Sequence, residues 1–160
     1  MNIHSASMFT FLLCFLAIIL QLSSSNVQAQ ALTFKYCAKN VKYGMKVSEV
    51  KASPNPVVRG VPFTINTTFY SDEVITGGKA QYRLTNDGAI GHVVYTYESN
   101  VCEEKQCPVS AGKHGLILDM RLPAVAPKGT YYMNLTFVDQ KEKKLSCIIS
   151  PFKVGDATTE

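Results

Sequence analysis

A chain of 160 residues and 17.6 kDa holds one domain of ordinary size and hardly two. Its 46% of hydrophobic residues excludes a disordered chain, and a formal charge of +4 is too weak a field for a dedicated nucleic-acid binder. The charge is also unevenly placed, because all 16 Lys+Arg and 12 Asp+Glu lie at or after Lys35.

The uncharged head contains Met8 to Leu22, an apolar run in which only Thr10 and Gln21 are polar. A membrane-crossing helix needs about 20 apolar residues, so the run is short for a span and fits the apolar core of a secretory signal. Small-residue cleavage patterns follow at Val27-Gln28-Ala29 and Ala29-Gln30-Ala31, although the segment before the run lacks Lys and Arg. Residues 1–29 are therefore expected to be a signal peptide, 30–155 the folded domain and 156–160 a frayed tail. No later apolar run approaches the length of a span, so a soluble mature protein is expected.

Through the body the apolar pattern repeats every two residues, with no helical stripe longer than two turns. A strand is expected around Tyr43 to Val50, followed by the turn Ser53-Pro54-Asn55-Pro56. Next, Phe63, Ile65, Thr67 and Phe69 share one face, with Asn66 on the other. After Gly77-Gly78, Ala80, Tyr82 and Leu84 alternate with polar residues as far as the turn Asn86-Asp87-Gly88. Val93, Tyr95 and Tyr97 form a further set, blurred by Val94. Leu116, Leu118, Met120 and Leu122 follow, with Ile117 the exception. Beyond Pro127-Lys128-Gly129, Tyr131, Met133, Leu135 and Phe137 face one way, and Asn134 and Thr136 the other. Leu145, Cys147 and Ile149 close the series. About seven strands at this spacing predict an all-β, immunoglobulin-like antiparallel sandwich, with a closed barrel as the alternative.

Secretion places the cysteines in oxidising space. Cys14 leaves with the head, and Cys37, Cys102, Cys107 and Cys147 remain. Cys102 and Cys107 enclose only Glu-Glu-Lys-Gln, a short hairpin-sized ring that is easily closed, which leaves Cys37 for Cys147. A zinc half-site at the short pair lacks a second half-site. Asn66-Thr67-Thr68 and Asn134-Leu135-Thr136 are glycosylation sequons, and Asn66 and Asn134 both fall in the solvent phase of their strands.

Several motifs in order resemble the ML lipid-recognition domains, a family that includes Niemann-Pick type C2 sterol carriers, group 2 mite allergens and secreted plant proteins. They are Tyr36-Cys37-Ala38-Lys39-Asn40, Ser53-Pro54-Asn55-Pro56 with Gly60, Ile65-Asn66-Thr67-Thr68-Phe69, Cys102 with Cys107-Pro108-Val109 and Gly112, Pro127-Lys128-Gly129-Thr130-Tyr131, and Leu145-Ser146-Cys147-Ile148. The opening motif and the Ser-Pro-Asn-Pro turn look most like plant members. The resemblance implies the same two disulfides. It also implies a lipid held between the two sheets, and the inward residues Phe69, Tyr82, Tyr95, Val109, Leu118, Met133, Leu135 and Phe137 would line that site. Animal sterol carriers have a cysteine where Asn55 stands, so one family disulfide is missing and the Pro54–Gly60 loop is expected to be less restrained.

Two lysine clusters stand out. Lys35, Lys39, Lys42, Lys46 and Lys51 face only Glu49 within one stretch, and Lys141, Lys143 and Lys144 form another. Either could approach an anionic membrane surface, and either could be an ordinary solvated face. Catalysis finds little support, since Gly-x-Ser-x-Gly, His-Glu-x-x-His and Gly-rich phosphate loops are all missing. Ser110, His114 and Asp119 lie near one another in sequence only as polar residues near turns commonly do. The expectation is a monomeric, non-enzymatic protein of the secretory pathway, either extracellular or in the vacuolar or endoplasmic-reticulum lumen. It needs no cofactor and carries a sterol or a phospholipid, the phosphatidylglycerol/phosphatidylinositol class included. The competing expectation is a lipid-presenting or defence-related interaction module without transfer activity.

Overall fold

Alternating burial is how a strand with one face on a core shows itself, and it runs through almost the whole body. A computed structural model describes residues 29–156. The expected signal segment, apart from Ala29, and the last four residues of the expected tail lie outside the described residues. Seven strands have eight to twelve residues: β3 (Met45–Ser53), β5 (Pro62–Ser71), β6 (Gly78–Asn86), β7 (Val93–Asn100), β8 (Gly112–Arg121), β9 (Gly129–Asp139) and β10 (Lys144–Gly155). Three two-residue strands complete the sheets: β1 (Gln30–Ala31), β2 (Lys35–Tyr36) and β4 (Val57–Val58).

These form an open two-sheet sandwich. One sheet has the order β1-β3-β5-β8; the other runs β2-β10-β9-β6-β7, with β4 added in parallel to β10. The seven long strands match the sequence reading, and the two sheets remain separate rather than closing into a barrel. Phe69 of β5 meets Phe137 of β9 across the sandwich at a centroid distance of 5.4 Å, and Phe63 meets Phe152 at 6.1 Å. Such pairs contribute about 0.5–1.5 kcal/mol beyond the area they bury.

Three local readings are corrected. First, a bulge at Val94 lets Tyr95 pair with Leu84 while Val93 pairs with Thr85, so Val93 leaves the inward phase. Tyr97 keeps the inward register opposite Tyr82, but it lies on the edge strand and is 38% exposed. Second, β10 is inward in the opposite phase from Leu145, Cys147 and Ile149. Ser146, Ile148, Ser150 and Phe152 pair with the inward residues Phe137, Leu135, Met133 and Tyr131. The serines disguised this phase as the solvent side. Third, the ring between Cys102 and Cys107 is closed over one helical turn, α1 (Val101–Glu104), and not over a hairpin. Asn100 caps it by accepting a hydrogen bond from the Cys102 amide at 2.9 Å.

Both disulfides form as read from the sequence. Cys37 joins Cys147 with a Cα–Cα distance of 5.4 Å, fixing the end of β2 to β10, and Cys102 joins Cys107 at 5.2 Å. The Pro54–Gly60 loop, which lacks the family disulfide, is held by other means. Val57 is fully buried, the Arg59 amide donates to Gly155 O at 3.1 Å, and the Gly60 amide donates to Leu122 O at 2.8 Å. Gly60 adopts φ +76°, and a Cβ there would crowd Ala124 at 3.1 Å.

The same end of the sandwich fastens Asp156, the first residue of the expected tail. Its carboxylate pairs with Lys128 and with Arg59. Hydrogen bonding from Lys128, then from Arg59, holds its pKa below the ordinary 3.8. A lowered carboxylate pKa means the contribution is complete above about pH 4 and is lost as pH falls through the lowered value. Asp156→Asn is therefore expected to flatten the acid limb of the thermal midpoint below about pH 4 while leaving the protein folded at neutral pH. An unchanged acid limb would contradict this.

Candidate functional site

A site between two sheets must be built from side chains that point inward from both of them, because the backbone polar groups are consumed by the ladders. From the six-stranded sheet come Tyr82, Met133, Leu135 and Phe137; from the other come Phe69 and Leu118. All are at most 6% exposed and belong to one continuous apolar cluster. Val109 joins them at 6% exposure through an isolated bridge to Ile75, in which each amide donates to the other's carbonyl at 2.8–2.9 Å. Tyr95 is half-buried and packs against the cluster from the β7 edge. All eight residues singled out in the sequence thus meet in one interior.

Sequence reading missed further contributors to the same interior. Met45, Val47, Val50 and Ala52 of β3 are buried there, as are Ile148 and Phe152 of β10. The β3 pattern was obscured by a bulge between Val47 and Glu49, where the alternation skips a residue. Hydroxyls also intrude on this apolar space. Thr67 and Ser146 are both fully buried on inward faces, and neither Oγ has a hydrogen-bond partner among the described residues. Thr67 lies two residues from Phe69 on the same face, and Ser146 is the cross-strand partner of Phe137. A buried hydroxyl without a partner costs about 1–3 kcal/mol. Thr67→Val, which keeps the shape and removes the hydroxyl, is accordingly expected to raise stability by roughly 1 kcal/mol. A clear loss in denaturant unfolding would show that the hydroxyl is satisfied.

The outer faces are polar. Gln81, Arg83, Thr96, Glu98, Asn134 and Thr136 border a groove of about 490 Å³ on the six-stranded sheet. Glu98 accepts from Gln81 and Lys79, each at 2.9 Å, and these bonds lower its pKa while raising that of Lys79. Asn66 and Asn134 are half-buried on the outer faces of central strands, in the solvent phase read from the sequence. The polar trio Ser110, His114 and Asp119 does not assemble. His114 Nε2 sits 2.7 Å from the Ser110 carbonyl oxygen and not its hydroxyl, while Asp119 accepts from Thr64. Among the described residues, no group of three or more His, Cys, Asp or Glu side chains could hold a metal ion, and no helix is long and apolar enough to cross a membrane.

An immunoglobulin-like two-sheet sandwich with an apolar interior and two disulfides defines the class. The chain belongs to the ML-domain family, whose sequence pattern matches residues 31–154. It is 27% identical over 118 residues to a Dictyostelium discoideum protein provisionally named a phosphatidylglycerol/phosphatidylinositol transfer protein, covering 72% of this chain and 80% of that one. A Candida albicans phosphatidylglycerol/phosphatidylinositol transfer protein is 26% identical over 117 residues, covering 70% and 60% respectively. The crystal structure of a Niemann-Pick type C2 protein from the Japanese carpenter ant superposes with a TM-score of 0.59 at 15% identity, over 77% of this chain and 99% of that one. That likeness shows the shared fold.

Proposed function

We propose that this protein binds a lipid between its sheets and transfers it between membranes. The observation that carries this reading is the continuous apolar interior supplied by both sheets, in a family member whose relatives are named phosphatidylglycerol/phosphatidylinositol transfer proteins. The ligand is a single phospholipid or sterol, the phosphatidylglycerol/phosphatidylinositol class first. Its apolar part displaces the contacts among Phe69, Tyr82, Tyr95, Val109, Leu118, Met133, Leu135 and Phe137, and its headgroup stays at the rim. Each buried methylene contributes about 0.8 kcal/mol, so partition alone drives uptake without any covalent step.

The protein acts in the secretory pathway, where residues 1–29 direct it and where the two disulfides are stable. Asn66 and Asn134 are its glycosylation positions; Asn66→Gln and Asn134→Gln are each expected to remove one glycan mass from the secreted protein. The deciding experiment is solvent extraction and mass spectrometry of purified protein, followed by transfer of labelled phosphatidylglycerol between vesicles. Stoichiometric lipid together with transfer supports the carrier. Lipid without transfer supports presentation to a protein partner, and protein that neither contains nor takes up lipid overturns both.

A further inference from the structure

The segment from Lys35 to Lys46 links the two sheets at one edge of the sandwich. It leaves β2 of the six-stranded sheet at Tyr36 and enters β3 of the four-stranded sheet at Met45. Three contacts fix it. Cys37 is bonded to Cys147, Tyr36 stacks on Tyr43 at 5.3 Å with 21° between the rings, and the Val47 amide donates to Tyr36 Oη at 2.9 Å. The last contact crosses from one sheet to the other, so Tyr36 closes the seam between them.

Over this seam lies a groove of about 530 Å³. Its lining combines the rings of Tyr36 and Tyr43 with Ala38 and Val41, and Val41 is 52% exposed. Lys35, Lys39, Lys42 and Lys46 rim it, all exposed. Lys46 is neutralised by Asp72 at 3.0 Å, whereas Lys35, Lys39 and Lys42 have no ion-pair partner among the described residues. The second basic cluster is different. Its ammonium groups also lack ion-pair partners among the described residues, but carboxylates offset them in place: Asp139 and Glu142 are interleaved with Lys141 and Lys143, and Glu73 and Asp139 line the same groove as those two lysines.

We infer that this lysine-rimmed groove is the surface that meets anionic bilayers, with lipid headgroups against the three unpaired ammonium groups and Val41 and the tyrosine rings toward the interface. The occupant follows from charge complementarity: unpaired cations around an exposed apolar floor match a surface that is negative outside and apolar beneath. The placement also has a consequence. Docking here sets the bilayer over the seam that Tyr36 closes between the two sheets. This inference rests on the carrier reading for its purpose, though not for its test.

The test is co-sedimentation with vesicles of phosphatidylcholine, either pure or containing about 30 mol% phosphatidylglycerol. Each lysine near such a surface contributes enough that Lys35→Gln/Lys39→Gln/Lys42→Gln is expected to weaken binding to the anionic vesicles roughly a hundredfold. Lys141→Gln/Lys143→Gln/Lys144→Gln should change it less than about threefold. All six side chains are exposed, so thermal unfolding of both triple variants should match the parent. Unchanged binding by the first variant overturns the inference, as does equal loss by the second, which would mean diffuse net charge. Competition by soluble glycerol phosphate overturns it too, since the groove would then be a small-anion pocket. Tyr36→Phe, which keeps the ring and removes the inter-sheet hydrogen bond, is expected to speed lipid transfer, and an unchanged transfer rate would place the way in elsewhere than the seam. Vesicle binding that depends on the three lysines, in a protein that takes up no lipid, would sink the carrier reading alone.

Discussion

Phe137→Ala is expected to destabilise the lipid-free protein by about 3–5 kcal/mol, the range for emptying a fully buried aromatic site. Phe137 sits at the centre of the six-stranded sheet, 1% exposed, with its ring against Phe69 of the opposite sheet. Removing it deletes an inter-sheet contact that no neighbour can replace without shifting a strand. The carrier reading adds a second expectation, because a lipid chain between the sheets occupies the same volume. Saturating phosphatidylglycerol should then restore a larger share of stability to the variant than it adds to the parent, since a ligand stabilises in proportion to its preference for the folded state. Denaturant midpoints for both proteins, with and without lipid, decide the matter. Equal lipid-induced shifts would place the ligand elsewhere.

Cys37→Ser/Cys147→Ser is expected to be similarly damaging. The ring spans 110 residues of sequence, and the loop-closure relation gives about 5 kcal/mol for its loss, against about 2 for the five-residue separation of Cys102 and Cys107. A domain of this size has about 5–15 kcal/mol in all, so the first double variant should lie close to its unfolding threshold at physiological temperature while the second remains folded. The denaturant midpoints of the two variants provide the comparison. An order reversed, with the short ring the costlier to lose, would contradict the chain-entropy account.

The fold was legible wherever one face of a strand was apolar and the other polar without interruption. Phe63 to Phe69, Ala80 to Leu84 and Tyr131 to Phe137 read directly, and Ile117 is exposed as its phase demanded. Legibility failed at three kinds of place. Bulges at Val94 and between Val47 and Glu49 shift the alternation by one residue, and only the partner strand reveals the shift. Inward serines inverted the reading of β10, because Ser146 and Ser150 imitate a solvent face; Ser150 is buried by donating to Thr33 O at 2.8 Å. Two-residue strands such as β2 and β4 carry too few residues to show any period, yet β2 places Tyr36 over the seam. Seven of the eight interior residues were recoverable because burial follows alternation; Val109, on an isolated bridge outside the strands, came from the Cys107-Pro108-Val109 motif. The contacts of Tyr36 with Tyr43 and Val47 were not recoverable, since they join residues seven and eleven apart through a loop whose path the sequence does not state.

The position of the two disulfides sets what the sandwich can do without chemistry. Cys37–Cys147 ties two strands of the same sheet, and Cys102–Cys107 ties a helical turn to its own loop. Neither bond runs from a strand of one sheet to a strand of the other. Parting of the sheets is therefore opposed by side-chain packing and by contacts such as the Tyr36 hydrogen bond, all reversible on ordinary thermal timescales. Resistance to unfolding and resistance to opening are thus separate properties of this chain: the first draws on covalent staples, and the second can be adjusted residue by residue with every staple in place.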